Sequence, residues 1–519
     1  MNGIPMLTLL TVLPVVGAVV ALLSGRHARA VATVTTTACV VLALYVWLNL
    51  PADGSMGLVE LHQWAPSLGV EYHLGVDGLG ALMLVLSAIV TLMSVDAAHR
   101  VHHQPGLYFC LVLLLEAGLF GSFTALNFFH WFLFWELSLI PAFFLIKLWG
   151  GKKRGPAATQ FFVYTMAGSV ALLVAFLALF LSTPTGGAAG TMDFSQLAWL
   201  ASTGQLGQQV AAHLGAGFLG LPMMMWLAIG VLAGFAVKVP IFPFHTWLPA
   251  AYAEAPSPVT MLLTGAMSKM GVYGLLRIAV PLFGHQISAM RTPLLVLAVA
   301  TVVMGAWASA AQKDLKRVFA YSSVNHLGYC LLGIFAIAVP FSMSDTGQAA
   351  SQAAALNGVI LQMFNHGITA AALFWFVALL QQRSGGHRGI DDFGGLRKPA
   401  PVFAGLMGIA LFSSLGLPGL NGFVGEFLIF RGVFSLAWVA STVSILGLLV
   451  TATVILTVIQ KVFAGPVAEH CAGFQDLHTG ERMALAPVMG LMLLIGILPQ
   501  LIVNTVNPTV EYLLKSWRF

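Results

Sequence analysis

Gly230–Arg277 reads GVLAGFAVKVPIFPFHTWLPAAYAEAPSPVTMLLTGAMSKMGVYGLLR, a stretch of membrane-grade apolar sequence that carries two lysines and five prolines. A lysine near the centre of a bilayer costs roughly 2.5–3.5 kcal/mol on insertion scales, so Lys238 and Lys269 require a hydrated or carboxylate-lined interior rather than a lipid-facing position. Pro240 and Pro243 directly after Lys238 remove backbone donors and interrupt the helix. Such breaks are tolerated at membrane depth where the backbone lines a polar cavity or is buried in protein. A buried lysine at a broken helix implies a transport path.

The rest of the chain supports a membrane setting. Of 519 residues, 59% are hydrophobic and 8% charged, against about 25% charged in soluble domains, and the mean hydropathy is +0.91. Repeated apolar runs of roughly 20 residues indicate an all-α polytopic protein rather than a barrel, with about fourteen transmembrane helices in the lipid bilayer. The formal charge of +5 follows from Lys and Arg at span ends and is no signal for nucleic acid. Cys39, Cys110, Cys330 and Cys471 lie far apart without a CxxC pair, which gives no support to a zinc or iron–sulfur site. The apolar run from Ile4 to Leu23 lacks a basic leader and is expected to remain as the first helix.

Taken in order, the expected spans alternate between loops rich and poor in basic residues. Arg26 and Arg29, Arg100, Lys152–Arg154, Lys313–Arg317 and Arg383–Lys398 fall on one side, predicted to be cytoplasmic. The segments Pro51–His73, Ser182–Leu221 and Pro340–Ala354 contain no Lys or Arg and are expected, with both termini, on the periplasmic side of a bacterial inner membrane. The last span is predicted at about Leu485–Ile502.

The break at Val237-Lys-Val-Pro240 has a counterpart at Leu415-Gly-Leu-Pro-Gly-Leu-Asn-Gly-Phe-Val-Gly-Glu426, five spans later. Corresponding breaks are the sequence mark of a transporter built from repeats, and five spans per unit gives inverted topology. The expected organisation is three N-terminal spans in 1–105, a first five-helix repeat in 106–285, a second in 286–465, and a loop with the last span in 466–519.

Ionisable residues within spans are the candidate functional groups. Glu136, in HWFLFWELSLIP at His130–Pro141, sits midway along an apolar helix where a lone carboxylate needs a cation or a proton. Lys238 is its expected partner, and the plainer alternative is a static ion pair. Glu116 is similar but lacks a comparable motif. Lys269 shares a face with Thr260, Thr264 and Ser268, a stripe that can carry water. Ser322, Ser323 and His326 form one further polar face, and Gln362, His366 and Thr369 another. A single buried histidine is more often a satisfied structural group, but a pair on neighbouring polar faces can relay protons because imidazole titrates near neutral pH. His130 and His245 are expected at the interfaces. Asp314, Lys316 and Arg317 are expected to set the start and orientation of their span.

FWELSLIP at Phe134–Pro141, KVPIFPFHTWLPAAYAEAPSPVTMLLTGAMSKMGVYGLLR at Lys238–Arg277, QKDLKRVFAYSSVNHLGY at Gln312–Tyr329 and LPGLNGFVGEF at Leu417–Phe427 resemble the antiporter-like membrane subunits of proton-pumping NADH:quinone oxidoreductase, respiratory complex I. The resemblance covers essentially the whole chain. It implies essential roles for Glu136, Lys238, Lys269, His326, His366 and Glu426, and for Glu116. Glu426 stands where the related chains L and N are expected to carry lysine. The resemblance further implies protons passing from cytoplasm to periplasm along this axis, driven by quinone reduction in partner subunits. Flavin, iron–sulfur clusters and quinone are expected there, since this chain carries no cofactor motif. Chains L and N and other membrane-arm subunits are the implied partners. An Mrp-type cation/proton antiporter, a membrane hydrogenase or a bicarbonate-uptake complex uses the same module and remains the alternative.

Overall fold

The computed structural model describes residues 5–65, 69–184, 190–340 and 345–517. Its first half runs α1 (Met6–Leu23), α2 (Ala28–Leu48), α3 (Gly78–Ala97), α4 (Pro105–Thr124), α5 (Phe128–Trp149) and α6 (Arg154–Ser182). Two short helices follow, α7 (Phe194–Ser202) and α8 (Gln205–Leu214), then α9 (Met223–Lys238), α10 (Trp247–Glu254) and α11 (Ser257–Ala289). The second half runs α12 (Arg291–Ala310), α13 (Leu315–Ala336), α14 (Thr346–Arg383), α15 (Pro401–Leu415), α16 (Asn421–Leu436), α17 (Trp438–Phe463), α18 (Thr479–Ile497) and α19 (Gln500–Ser516). Among the described residues, twelve helices are long and apolar enough to cross a membrane. Two further apolar helices, α9 and α15, are shorter and precede the breaks at Pro240 and Gly416.

One segment adds to the expected spans and one expected boundary shifts. The segment between the second and third spans is an antiparallel hairpin of β1 (Gly57–Ala65) and β2 (Val70–Val76), while the fold as a whole is helical, as expected. The last span ends at Ile497 rather than Ile502, and the chain restarts after Pro499 as α19, whose Val506, Val510 and Leu513 are buried. That separate amphipathic helix was hidden because its apolar residues continue the apolar run of α18.

The helix faces sort the chain into two ends. On one end the Glu60 carboxylate of the hairpin accepts from Leu7 N at 2.8 Å at the start of α1, Leu126 N donates to His73 O at 2.9 Å, and Gly78 N donates to the Thr509 hydroxyl of α19 at 3.0 Å. On the opposite end lie the ion pairs Arg29–Asp96, Arg383–Glu481, Arg388–Asp314 and Lys461–Asp391. The basic loops that carry Arg29, Arg383, Arg388 and Lys461 thus share one end, whereas Arg277, Arg291 and Lys515 lie towards the other. The Ser182–Leu221 segment, outside its undescribed residues 185–189, holds α7 and α8 on the hairpin face.

The central stretches of α11 and α14 are buried, whereas α2 and α17 expose apolar sides such as Val34 and Leu449. Small residues bring the buried helices together. A Cβ on Gly367 of α14 would meet Gly265 O of α11 at 2.6 Å, and one on Gly425 of α16 would meet Gln362 N of α14 at 2.9 Å. Both glycines therefore permit backbone approach that a side chain would prevent. α11 is also widened by π-turns at Leu263–Met267 and Leu275–Ala279, either side of Lys269, a distortion frequent at functional sites.

Candidate functional site

The two close approaches converge on one polar string. Lys269 leaves α11 just after its first wide turn, where its ammonium donates to the Thr264 carbonyl and to His366 Nδ1, the latter at 2.8 Å. The His366 ring lies beside that of His326, with centroids 5.2 Å apart. His326 Nδ1 in turn meets Glu426 Oε1 at 3.0 Å. Gln362 Nε2 is 3.4 Å from both of these atoms, and the Ser414 hydroxyl is 3.4 Å from His326 Nε2. Lys269, His326, His366 and Glu426 are each at least nine-tenths buried. Four residues from four helices thus form one series, and a cavity of about 20 Å³ runs among His326, His366, Thr369, Ser414 and Glu426, room for a single water molecule.

Glu426 reaches this series because α15 ends at Gly416, whose φ of +80° caps the helix in the left-handed region, and the chain re-enters as α16 at Asn421. The Asn421 amide spans the gap: it donates to Asn365 O at 3.3 Å while Asn365 Nδ2 returns a bond to Asn421 O at 2.7 Å. Ser413 Oγ donates to Asn421 Oδ1 at 2.6 Å and meets Thr369 Oγ1 at 2.9 Å. This asparagine bridge holds the broken helix against α14. Sequence reading missed Asn365, whose spacing of one residue before His366 places it on a different strip of the same helix.

The first half is arranged differently from expectation. Lys238 ends α9, buried, with its ammonium over the Trp135 ring at 4.7 Å from the centroid, a cation–π contact. Trp135 is held by its indole N–H to Ser169 Oγ at 3.0 Å. Glu136, one residue later and therefore turned about 100° around α5, is only half-buried. It acts on Lys238 electrostatically without a direct ion pair, and its Oε1 has no protein partner. The expected Glu136–Lys238 ion pair is thus not formed. Glu116 is fully buried in α4 with both carboxyl oxygens unpartnered, near Cys39 of α2, and lies apart from the series. His130 is buried at the start of α5 against the Tyr72 ring of the hairpin, 4.8 Å between centroids.

Residues 125–456 match the family model described as "NADH:quinone oxidoreductase/Mrp antiporter, TM". The chain belongs to this family. It is 34% identical to NADH-quinone oxidoreductase subunit M of Rhodobacter capsulatus over 99% of this chain and 97% of the relative. It is 31% identical to subunit M of Mycobacterium tuberculosis over 98% and 94%. A chain of respiratory complex I from Thermus thermophilus with bound NADH superposes with a TM-score of 0.84 at 28% identity, covering 99% of this chain and 100% of that one. A chain of the Mrp complex from Dietzia sp. DQ12-45-1b shares the fold, with a TM-score of 0.81 at 21% identity over 99% and 98%.

Two further features of this family member lay outside the sequence reading. Arg277 Nη2 of α11 pairs with Asp77 Oδ2 at 2.5 Å, both buried, and Asp77 also caps α3 by accepting from Gly80 N at 3.0 Å. A loop aspartate and a span-end arginine look like ordinary surface charges in sequence. Asp314 caps α13 as expected, accepting from Lys316 N and Arg317 N, but Lys316 itself is buried. Among the described residues one trio brings ligand-type atoms within 4.8 Å of one another, Glu71, His73 and Asp193 on the hairpin face. His73 and Asp193 there already pair at 2.5 Å, and Asp193 caps α7.

Proposed function

We propose that this chain moves protons across the membrane as a membrane-arm subunit of NADH:quinone oxidoreductase, from cytoplasm to periplasm, along Glu136, Lys238, Lys269, His366, His326 and Glu426. The carrying observation is the series from Lys269 through the adjacent rings of both histidines to Glu426. An ammonium that donates to an imidazole nitrogen can pass its proton there. The second imidazole, in contact with a carboxylate, can pass one on, with a single water filling the cavity between them. Lys238 over Trp135, with Glu136 one residue further along α5, is the input group. Glu116 is assigned to the same proton-handling set, away from the main series. Moving one charge against 100 mV requires about 2.3 kcal/mol, within reach of modest changes in charge pairing, since a carboxylate near a lysine favours its ammonium and separation favours proton release.

The driving energy comes from quinone reduction in partner subunits, which hold flavin, iron–sulfur clusters and quinone. Chains L and N are neighbours in the membrane arm. The two interrupted helices belong to inverted five-helix repeats spanning 106–285 and 286–465, and the basic face is cytoplasmic, which puts both termini in the periplasm. The test is proton pumping by the intact complex in reconstituted vesicles with Lys269→Met. Normal pumping by the assembled variant overturns the path. Copurification decides the setting: cluster-bearing and quinone-site subunits support this reading, and other antiporter chains alone support an Mrp-type exchanger.

A further inference from the structure

Lys316 takes no part in the series above, yet its ammonium is buried, 3% exposed, in the first turn of α13. A cation is doubly disfavoured there, by removal from water and by the positive end of the helix dipole. It donates to Ala255 O at 2.7 Å, immediately after the last residue of α10.

Three consecutive carbonyls at that helix end accept from three different segments. Ala253 O accepts from Arg388 Nη1 at 2.9 Å, Glu254 O from Gly151 N at 2.8 Å, and Ala255 O from Lys316 Nζ at 2.7 Å. The Glu254 carboxylate also accepts from Lys153 N at 2.9 Å. Arg388 pairs with Asp314 at 2.6 Å, and its carbonyl accepts from Leu315 N at 2.9 Å, so both cations are anchored to the start of α13. The last carbonyls of a helix have no internal donors and carry partial negative charge. Here they are capped from the α5–α6 link on one side and from the second half of the chain on the other.

α10 stands between Lys238 and Lys269. The Tyr252 hydroxyl donates to Leu263 O at 3.0 Å and Thr260 Oγ1 donates to Tyr252 O at 3.1 Å. Leu263 opens the wide turn that offers the Thr264 carbonyl to Lys269. A shift of Ala255 is therefore carried through Tyr252 to the groups that hold Lys269.

We infer that Lys316 is a positioning residue for proton transfer: together with Arg388 its ammonium fixes the end of α10 and, through it, the placement of Lys269 relative to Lys238. The inference rests on the proposed path. The charged groups that face Lys316 are Glu254 at the end of α10, Arg388 and Asp314.

The test uses the purified complex in vesicles, with Lys316→Met, Lys316→Arg and Lys316→Gln. Lys316→Met should lower pumping severalfold and speed amide exchange across residues 247–263. Lys316→Arg, which keeps a cation able to reach a carbonyl, should restore at least half the pumping and normal exchange. If the Met variant fails to assemble, the Gln variant, which keeps a neutral donor, takes its place in both measurements. Normal pumping by the uncharged variant, unchanged exchange, or an Arg variant as impaired as Met overturns the inference. Lys269→Met measured alongside separates the two failures. If it too pumps normally the path is wrong, and if it is inactive while the Lys316 variants pump normally only the positioning role fails.

Discussion

Glu426→Gln keeps the size of the side chain and removes its charge and its proton. The carboxylate lies 3.0 Å from His326 Nδ1, and whenever the imidazole carries a proton on both nitrogens two unit charges at that distance interact by about 5–6 kcal/mol at an effective dielectric near 20. That exceeds the work of moving one proton against 100 mV, about 2.3 kcal/mol, more than twofold, so the state of this pair can decide whether a proton passes. The amide eliminates the term, and pumping by the assembled complex should fall severalfold. Glu426→Asp retracts the carboxylate by about one bond length, ~1.5 Å, which leaves about 3.5–4 kcal/mol, still above the work required, so much of the pumping should survive. Glu426→Lys sets a cation against His326 and should fall between the two or nearer to Gln. The assay is proton uptake into vesicles carrying the purified complex, with assembly checked on the same preparation. His326→Ala combined with Glu426→Gln should be no worse than the more severe single variant, since the two groups act as one unit. Full pumping by an assembled Gln variant would show that Glu426 is a structural polar group and that protons leave elsewhere.

Glu136→Gln and Lys238→Met should each strongly reduce pumping with assembly retained, and their combination should be less than additive; additive losses would mean that the electrostatic link across α5 is functionally silent. Asp77→Ala strips a buried guanidinium of its partner, a change worth roughly 3–5 kcal/mol, plus about 1 kcal/mol for the lost cap of α3, so the purified chain should unfold at lower temperature; an unchanged unfolding temperature contradicts the pairing. Asp476 accepts from Val402 N at 3.0 Å and Phe403 N at 2.8 Å. Although burial pushes its carboxyl up, these N–H groups, Leu477 N and Arg482 hold it below the usual carboxylate range. Its contribution is thus present above the unfolded value near 3.9 and is lost as pH falls through the lower folded value; Asp476→Ala should lose about 1 kcal/mol at neutral pH and show a flatter acid-unfolding profile, and an identical acid profile would count against the cap. An impermeant thiol reagent applied to intact cells should label a cysteine placed in α7 and spare one at Lys153, and the reverse pattern would invert the assigned orientation.

Much of this architecture was legible because its causes are local. Apolar runs of bilayer length, prolines that remove donors, and basic residues concentrated in alternate loops fix where spans begin, where they break and which loops share a face. The polar stripes of His326 and His366 could be read from spacing alone. Their contact could not, because Lys269, His326, His366 and Glu426 lie on four helices brought together by close approaches at Gly265–Gly367 and Gly425–Gln362, and spacing within one helix carries no information about its neighbour. The same limit explains Glu136 and Trp135. Periodicity places them 100° apart, but only packing against α6 and α9 decides that Trp135 faces Lys238 and that Glu136 forms no ion pair with it. Lys313, Lys316 and Arg317 read as one basic cluster at a helix start. Tertiary structure separates them, turning Lys316 inward to the carbonyls at the end of α10, because a helix end with unsatisfied acceptors lies within reach of that one side chain.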